Sequence, residues 1–398
     1  MWYIVGLIAG FLTVLIVRAL LFRPLPQRQI SEEPVSFDKD AAVTALQKLV
    51  QCKTISDYDH ANEDETEFQK LIDLLPTLYP KVFETCEFQK LPERALLFRW
   101  KGKSDKNPSV MMSHYDVVPV REDLWEKPPF DGIIEDGVLW GRGTLDTKAT
   151  LNGALFAANT LMEQGFVPEN DIYFAFSGGE EVNGLGAVNI VNYFAENGIT
   201  PALVVDEGGA VVENVFPGVK VPCGMVGIAE KGMMNVRYTV HSGGGHASAP
   251  PVKTPITTLA SACRKVVENP FKMNINKPAA LMFDTLARHS TFVYKLIFSN
   301  LWCFKPVLDL ICRKSGGEMN ALVRTTTAFT QAQGSKARNV IPAEASLVSN
   351  MRLNPADSVA EATAYLKKVV ADNSVRWRCW KASSPVPSPK RTATATIR

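Results

Sequence analysis

The hydrophobic pattern of the chain changes character three times. Residues 2–22, WYIVGLIAGFLTVLIVRALLF, form an apolar run with Arg18 its only charge. About 20 such residues suffice to cross a bilayer as a helix. No lysine or arginine precedes the run and no small-x-small cleavage site follows it, so the pattern predicts a single-pass membrane helix rather than a removable leader. Arg18, Arg23 and Arg28 lie on its C-terminal side, which by the positive-inside rule predicts a cytoplasmic location for the remainder. Residues 23–37 are polar and proline-bearing and read as a linker.

From residue 38, helical and strand patterns alternate. DKDAAVTALQKLVQCKT and EDETEFQKLIDLLPTLYP carry apolar residues at helical spacing. ALLFRW, SVMMSHYDVV, DIYFAFS and ALVVDEGG read as strands, and TKATLNGALFAANTLMEQG as a helix closed by glycine. This order predicts an α/β domain over 38–228 with a largely parallel sheet. In the second half, GMMNVRYTVHS alternates as a strand and TPITTLASACRKVVENP is helical. ALVRTTTAFTQAQGS, ARNVIPAEASLVSNMRLNP and SVAEATAYLKKVVADN add two strands and a helix, giving a second domain over 229–378. Residues 379–398 read as a basic, low-complexity tail.

Composition adds little beyond two domains. The chain has 398 residues, 46% hydrophobic and 21% charged, as in an ordinary folded enzyme. A net charge of +2 with scattered basic residues argues against a nucleic-acid partner. Seven cysteines without a C-x-x-C pair argue against a disulfide framework.

The polar residues are more informative. His114 and Asp116 stand where SVMM runs out, Asp146 follows LWGRGTL, Glu180 and Glu181 follow IYFAFSGG, and Asp206 with Glu207 follow ALVV. Ligands of open α/β sheets bind beyond the carboxyl ends of the strands. Any one of these residues alone reads as a turn or cap residue. Together, converging on one sheet edge, they would repel one another unless a cation sat among them. Imidazole and carboxylates without thiolate suit zinc, and cobalt or manganese as well. The carboxylates exceed what one catalytic zinc uses, which points to a two-metal hydrolytic site. One of the adjacent glutamates can bind metal while the other takes a proton, and Asp116 can fix the His114 tautomer.

SHYDVVPV, WGRGTLDTK, SGGEEVNGLGA and VVDEGGAV, in this order and spacing, resemble the aminoacylase and carboxypeptidase S family of co-catalytic zinc hydrolases. The resemblance extends over about residues 38–375 and is nearest the carboxypeptidase S branch. It implies a zinc-peptidase catalytic domain of the phosphorylase/hydrolase-like α/β fold, with an inserted α+β lid through which relatives form homodimers. That lid is a four-stranded sheet with two helices on one face. Position by position, His114, Asp146, Glu181 and Asp206 look like the ligands of two zinc ions, with Asp146 bridging. Glu180 looks like the general base, Asp116 like the partner of His114, and a cis peptide is implied after Asp146. His246 in HSGGGHASAP looks like an oxyanion donor, Arg352 in NMRLNP like a carboxylate clamp, and Asn339 in ARNVIP like a further donor. The implied reaction is hydrolysis of an amide next to a free carboxylate by a metal-bound hydroxide, on a small peptide or an N-acyl amino acid.

Relatives supply a last histidine after the lid, whereas the five histidines here are 60, 114, 241, 246 and 289. The expectation is therefore a truncated or frame-shifted C-terminus with weakened metal binding. The alternative function is that of a catalytically weak or dead membrane-anchored homologue.

Overall fold

The computed structural model of the chain describes residues 2–26, 36–214, 218–383 and 385. Two compact units separate, one holding Ile30–Gly208 and the other Met1–Gln29 together with Gly209–Arg398. Helix α1 (Trp2–Leu21) coincides with the N-terminal apolar run and belongs to the second of these.

In the first unit, α2 (Lys39–Val50) and α3 (Glu65–Leu78) begin at Asp38 and Asp64, whose carboxylates accept the N–H groups of Ala41 and Thr66. Helix α4 (Pro80–Thr85) opens on proline, whose missing N–H costs nothing at that position. There follow β1 (Glu87–Leu91), β2 (Ala95–Trp100), β3 (Ser104–His114), a side hairpin of β4 (Ile133–Glu135) and β5 (Val138–Trp140), α5 (Lys148–Glu163), β6 (Asn170–Ser177), α6 (Gly186–Glu196) and β7 (Leu203–Val205). The main sheet has the order β1-β2-β6-β3-β7.

This sheet is mixed rather than largely parallel. β6, β3 and β7 are parallel neighbours, but β1–β2 and β2–β6 are antiparallel. The reversal between β1 and β2 occurs at Pro92-Glu93-Arg94, with Glu93 and Arg94 at φ 58° and 56°. Tight hairpins usually announce such φ values with glycine or asparagine, and this one does not.

Alternation along the strands divides the core between the two faces of the sheet. Leu96, Phe98 and Trp100 of β2 join Phe174 and Phe176 of β6 in packing against Leu71 and Leu75 of α3 and Leu151 and Leu155 of α5. Ala95, Leu97, Tyr173 and Ala175 face the opposite way, against Ile190 and Phe194 of α6. Within the first layer Lys148 is fully buried; its ammonium donates to the carbonyls of Leu49 (3.0 Å) and Cys52 (2.5 Å), and burial pushes it down to about 8.

The second unit opens with the hairpin β8 (Ala210–Val212) and β9 (Cys223–Met225), then β10 (Gly232–His241), β11 (Gly245–His246) and α7 (Pro255–Glu268). Four helices follow: α8 (Lys277–Arg288), α9 (Phe292–Ser299), α10 (Leu301–Ser315) and α11 (Gly317–Val323). The unit closes with β12 (Thr326–Gln333), β13 (Val340–Ile341), β14 (Glu344–Leu353), α12 (Val359–Val370) and β15 (Arg376–Ser383). An antiparallel sheet β12-β14-β10-β15 buries Met234, Val236, Tyr238 and Val240 against Leu259 and Val266 of α7 and Leu366 and Val370 of α12. The four strands and two helices match the expected lid architecture. The fourth strand, β15, runs to Ser383, so the first residues of the expected tail pair with β10. From residue 384 onward, Pro385 apart, the expected tail lies outside the described residues.

Helix α12 starts in a reciprocal cap. Ser358 Oγ accepts the Glu361 N–H, and the Glu361 carboxylate accepts the Ser358 N–H at 2.9 Å. Ser358→Ala should lower unfolding free energy by about 0.5–2 kcal/mol, measured by urea denaturation.

Candidate metal centre

Three neighbouring parallel strands deliver the polar residues to one edge. His114 is the last residue of β3, Glu180 and Glu181 form a 3-10 turn shortly after β6, and Asp206 and Glu207 directly follow β7. Asp146 arrives from the segment that leads into the N-terminus of α5, through a cis Asp146–Thr147 peptide. A helix N-terminus favours negative charge beside it.

His114 is the centre of the group. It is 2% exposed, and its Nδ1 lies 3.0 Å from the Asp116 backbone carbonyl and 3.3 Å from Asp116 Oδ1. Donation from Nδ1 leaves Nε2 as the ring atom that faces outward. Nε2 stands 2.9 Å from Asp146 Oδ1 and 3.2 Å from Glu207 Oε1. Among the described residues, His114, Asp146 and Glu207 each offer a ligand atom within 4.8 Å of the other two.

Asp116 fixes the surroundings. It is completely buried and accepts the Ser56 hydroxyl at 2.6 Å and the backbone N–H groups of Glu180 and Glu181 at 3.1 Å each. One carboxylate thereby ties the imidazole of β3 to the acidic turn after β6. Gly178 permits this approach, because a Cβ there would lie 2.7 Å from the Tyr115 ring.

Electrostatics describe a site with surplus negative charge. Burial raises the carboxyls of Glu180, Glu181 and Glu207; neighbouring carboxylates raise them further and His114 opposes the shift. Burial alone would lower His114, but the hydrogen bond and charge of Asp116 and the charges of Glu207 and Glu180 overcome it and hold the ring at about 10. Carboxylates that crowd one another and one imidazole, with no thiolate, form a hard donor set suited to divalent cations. The residues therefore fit the metal that the sequence implies.

The structure does not bring all the expected ligands together equally. His114 and Asp146 converge, and Glu181 lies close enough to Asp146 for that charge to raise its carboxyl. Asp206 is exposed and accepts the N–H of Glu207 at 2.8 Å, while Glu207 takes the place beside His114. Glu207 was not singled out as a ligand by the sequence. Both acidic residues follow a three-residue strand, and a shift of one residue exchanges the faces they point to. A run of two acids therefore names the place but not the ligand.

The substrate-facing candidates sit in the second unit. His246 is exposed on β11, opposite Val340 of β13, and its Nδ1 lies 2.8 Å from Ser248 Oγ. Asn339 is exposed too, and its carbonyl accepts the Ala247 N–H at 2.9 Å, so the two segments are neighbours. Arg352 is exposed on β14, paired with Met233 and Thr326 across the strand's two neighbours.

Comparison with known proteins agrees with these features. Residues 110–300 match the model of peptidase family M20/M25/M40, and residues 228–378 match a peptidase dimerisation domain. The chain is similar to probable carboxypeptidase S-like 2 of Dictyostelium discoideum, 34% identical over 93% of this chain and 74% of the relative. It is 31% identical to the N-fatty-acyl-amino acid synthase/hydrolase PM20D1 of Homo sapiens, over 90% of this chain and 73% of the relative. In fold it resembles the M20 family metallo-carboxypeptidase Sso-CP2 of Sulfolobus solfataricus, with a TM-score of 0.58 and 18% identity over 88% of this chain and 79% of that one.

Proposed function

The chain belongs to peptidase family M20/M25/M40 and is an enzyme of that hydrolase class, and on this premise we propose that it hydrolyses an amide bond beside a free carboxylate. The substrate is a small peptide, which makes it a carboxypeptidase, or an N-acyl amino acid, which makes it a deacylase. The observation that carries the reading is the convergence of His114, Asp146 and Glu207 beside a Glu180–Glu181 turn held by Asp116.

His114, Asp146, Glu181 and the Asp206–Glu207 pair would hold two zinc ions; cobalt and manganese suit the same donors. When bound, the metals polarise the substrate carbonyl and lower the pKa of water. Glu180 takes the proton of the attacking water and passes it to the departing amine, a task suited to a carboxylate whose proton affinity burial has raised. His246 donates to the carbonyl oxygen as it gains charge, Asn339 adds a donor, and Arg352 holds the free carboxylate with its planar fork. The dimerisation-domain match supports a homodimer formed through the second unit.

The test is hydrolysis of a panel of dipeptides and N-acyl amino acids by the full chain, each with its C-terminal amide as control. Turnover should vanish after chelation, return with added zinc and require the free carboxylate. Turnover insensitive to chelation, or equal on the amides, overturns the proposal. No turnover even with zinc would instead favour a homologue that keeps the fold for binding.

A further inference from the structure

Helices α8 to α11 occupy a stretch, residues 277–323, to which the sequence pattern assigns no element before residue 321. Their surface does not resemble that of a soluble insertion. On α10, Trp302, Pro306 and Leu310 recur every four residues and share a face, Val307 and Ile311 widen the apolar surface to about half of the helix circumference, and all five are exposed. Trp302 is 61% exposed. Phe292 and Val293 extend the apolar surface onto the start of α9. The charges nearby are mostly basic: Lys305, Arg313 and Lys314 are exposed, while the acidic Asp309 is engaged by Arg313 and Arg324.

Helix α1 lies against this surface within the same unit. Its 20 residues bury only Leu15 and Ala19, and its length and composition suit a bilayer span. Its single charge is accommodated by the helical insertion. Arg18 donates from Nη2 to the Ser299 carbonyl at 2.7 Å, and from Nε to the same carbonyl at 3.2 Å and to Asn300 Oδ1 at 3.0 Å. The Ser299 carbonyl ends α9, where the helix dipole is negative. Asn300, fully buried, donates in return to the Leu15 carbonyl at 3.1 Å. A second contact sits deeper along α1: Phe11 meets Trp302 edge-on, with ring centroids 5.9 Å apart. Seven residues separate Phe11 from Arg18, or roughly 10 Å along a helix axis.

These contacts fix where α10 must lie if α1 enters a membrane. A side chain packed on the middle of a spanning helix is itself below the headgroups. We propose that α9 and α10 are embedded in the bilayer alongside α1, forming a monotopic platform whose apolar face meets acyl chains. The basic residues at its margins then meet anionic headgroups. The occupant is a phospholipid bilayer because the apolar face continues directly onto a helix of spanning length, and because that helix's one charge is satisfied by the platform. A removable leader has no need of such a partner.

Photo-crosslinking tests this in the full chain, reconstituted in liposomes of phosphatidylcholine and phosphatidylserine. Benzoylphenylalanine is placed singly at Leu310, at Val293, at Phe11 and at exposed Lys336 as the aqueous control. Lipid adducts, read as the added lipid mass, are expected at 310, 293 and 11 and absent at 336. Lipid adducts at 11 without any at 310 or 293 overturn the proposal, as do protein adducts at 310, which would assign the face to a second polypeptide. Absence of lipid adducts at 11 overturns it as well. The readout is independent of turnover, so it stands or falls separately from the hydrolase reading.

Discussion

Glu180→Gln should reduce kcat by roughly 10²–10⁴-fold while leaving metal content unchanged. Glutamine keeps the length and shape of the side chain but accepts no proton. The backbone N–H of residue 180 still donates to Asp116, so the turn and its neighbour Glu181 keep their places. Burial raises the Glu180 carboxyl, with the charges of Asp116, Asp146 and Asp206 adding to the effect and His114 opposing it. A carboxylate with raised proton affinity is the better base near neutrality. The wild-type rate should therefore climb with pH as Glu180 loses its proton, and that ascending limb should be missing from the variant. Measuring kcat against pH for both proteins, with zinc per chain determined after dialysis, checks the claim. A variant that keeps most of its activity with an unchanged profile removes Glu180 from the reaction.

Much of this site was legible in the chain because its signals are local. Apolar runs of strand character end abruptly in His114, Glu180 and Asp206, and strand ends are where an α/β sheet presents its ligands. The cis peptide implied after Asp146 is present. What escaped the sequence reading depends on tertiary context. Whether Asp206 or Glu207 faces His114 rests on one residue of register after a three-residue strand. The β1–β2 hairpin turns through Glu93 and Arg94, which carry none of the usual chemistry for positive φ. Strand β15 alternates Arg376, Arg378 and exposed side chains with Trp377, which packs on Tyr238 at 4.7 Å. Its edge position leaves the basic face in solvent, so the segment reads as a polar tail until its partner strand is known. Helices α9 and α10 escape for a different reason. They bury Phe298, Leu308 and Cys312 yet leave Phe292, Val293, Trp302, Val307, Leu310 and Ile311 exposed, so their apolar residues occupy more than one face and obscure the single stripe on which amphipathic readings depend.

Asp116→Asn should weaken metal binding by about 10–100-fold, the usual consequence of removing the group that orients a metal-binding histidine. The change is nearly isosteric, yet its effect on bonding is large. The carboxylate accepts from Ser56, Glu180 and Glu181 and supports the protonated face of His114. An amide offers one acceptor oxygen and turns two N–H donors toward groups that also donate. In the metal-free protein, losing one member of the buried Asp116–His114 pair should also cost about 3–5 kcal/mol of stability. The pH dependence follows from the two shifts. Asp116 is lowered despite burial, through the bonds and charge it receives from His114 and Ser56, so its contribution is complete above its ordinary 3.8 and is lost as pH falls through the lowered value. His114 is raised, so its contribution is complete below its ordinary 6.5 and is lost as pH rises through about 10. The gap between wild type and variant should thus be widest between these two ordinary values and narrow on either side. Urea unfolding of both metal-free proteins from below pH 3.8 up to about pH 10 measures it. A gap that stays constant with pH would mean that Asp116 acts through packing alone, and the electrostatic account of how this site is held ready for a cation would fail.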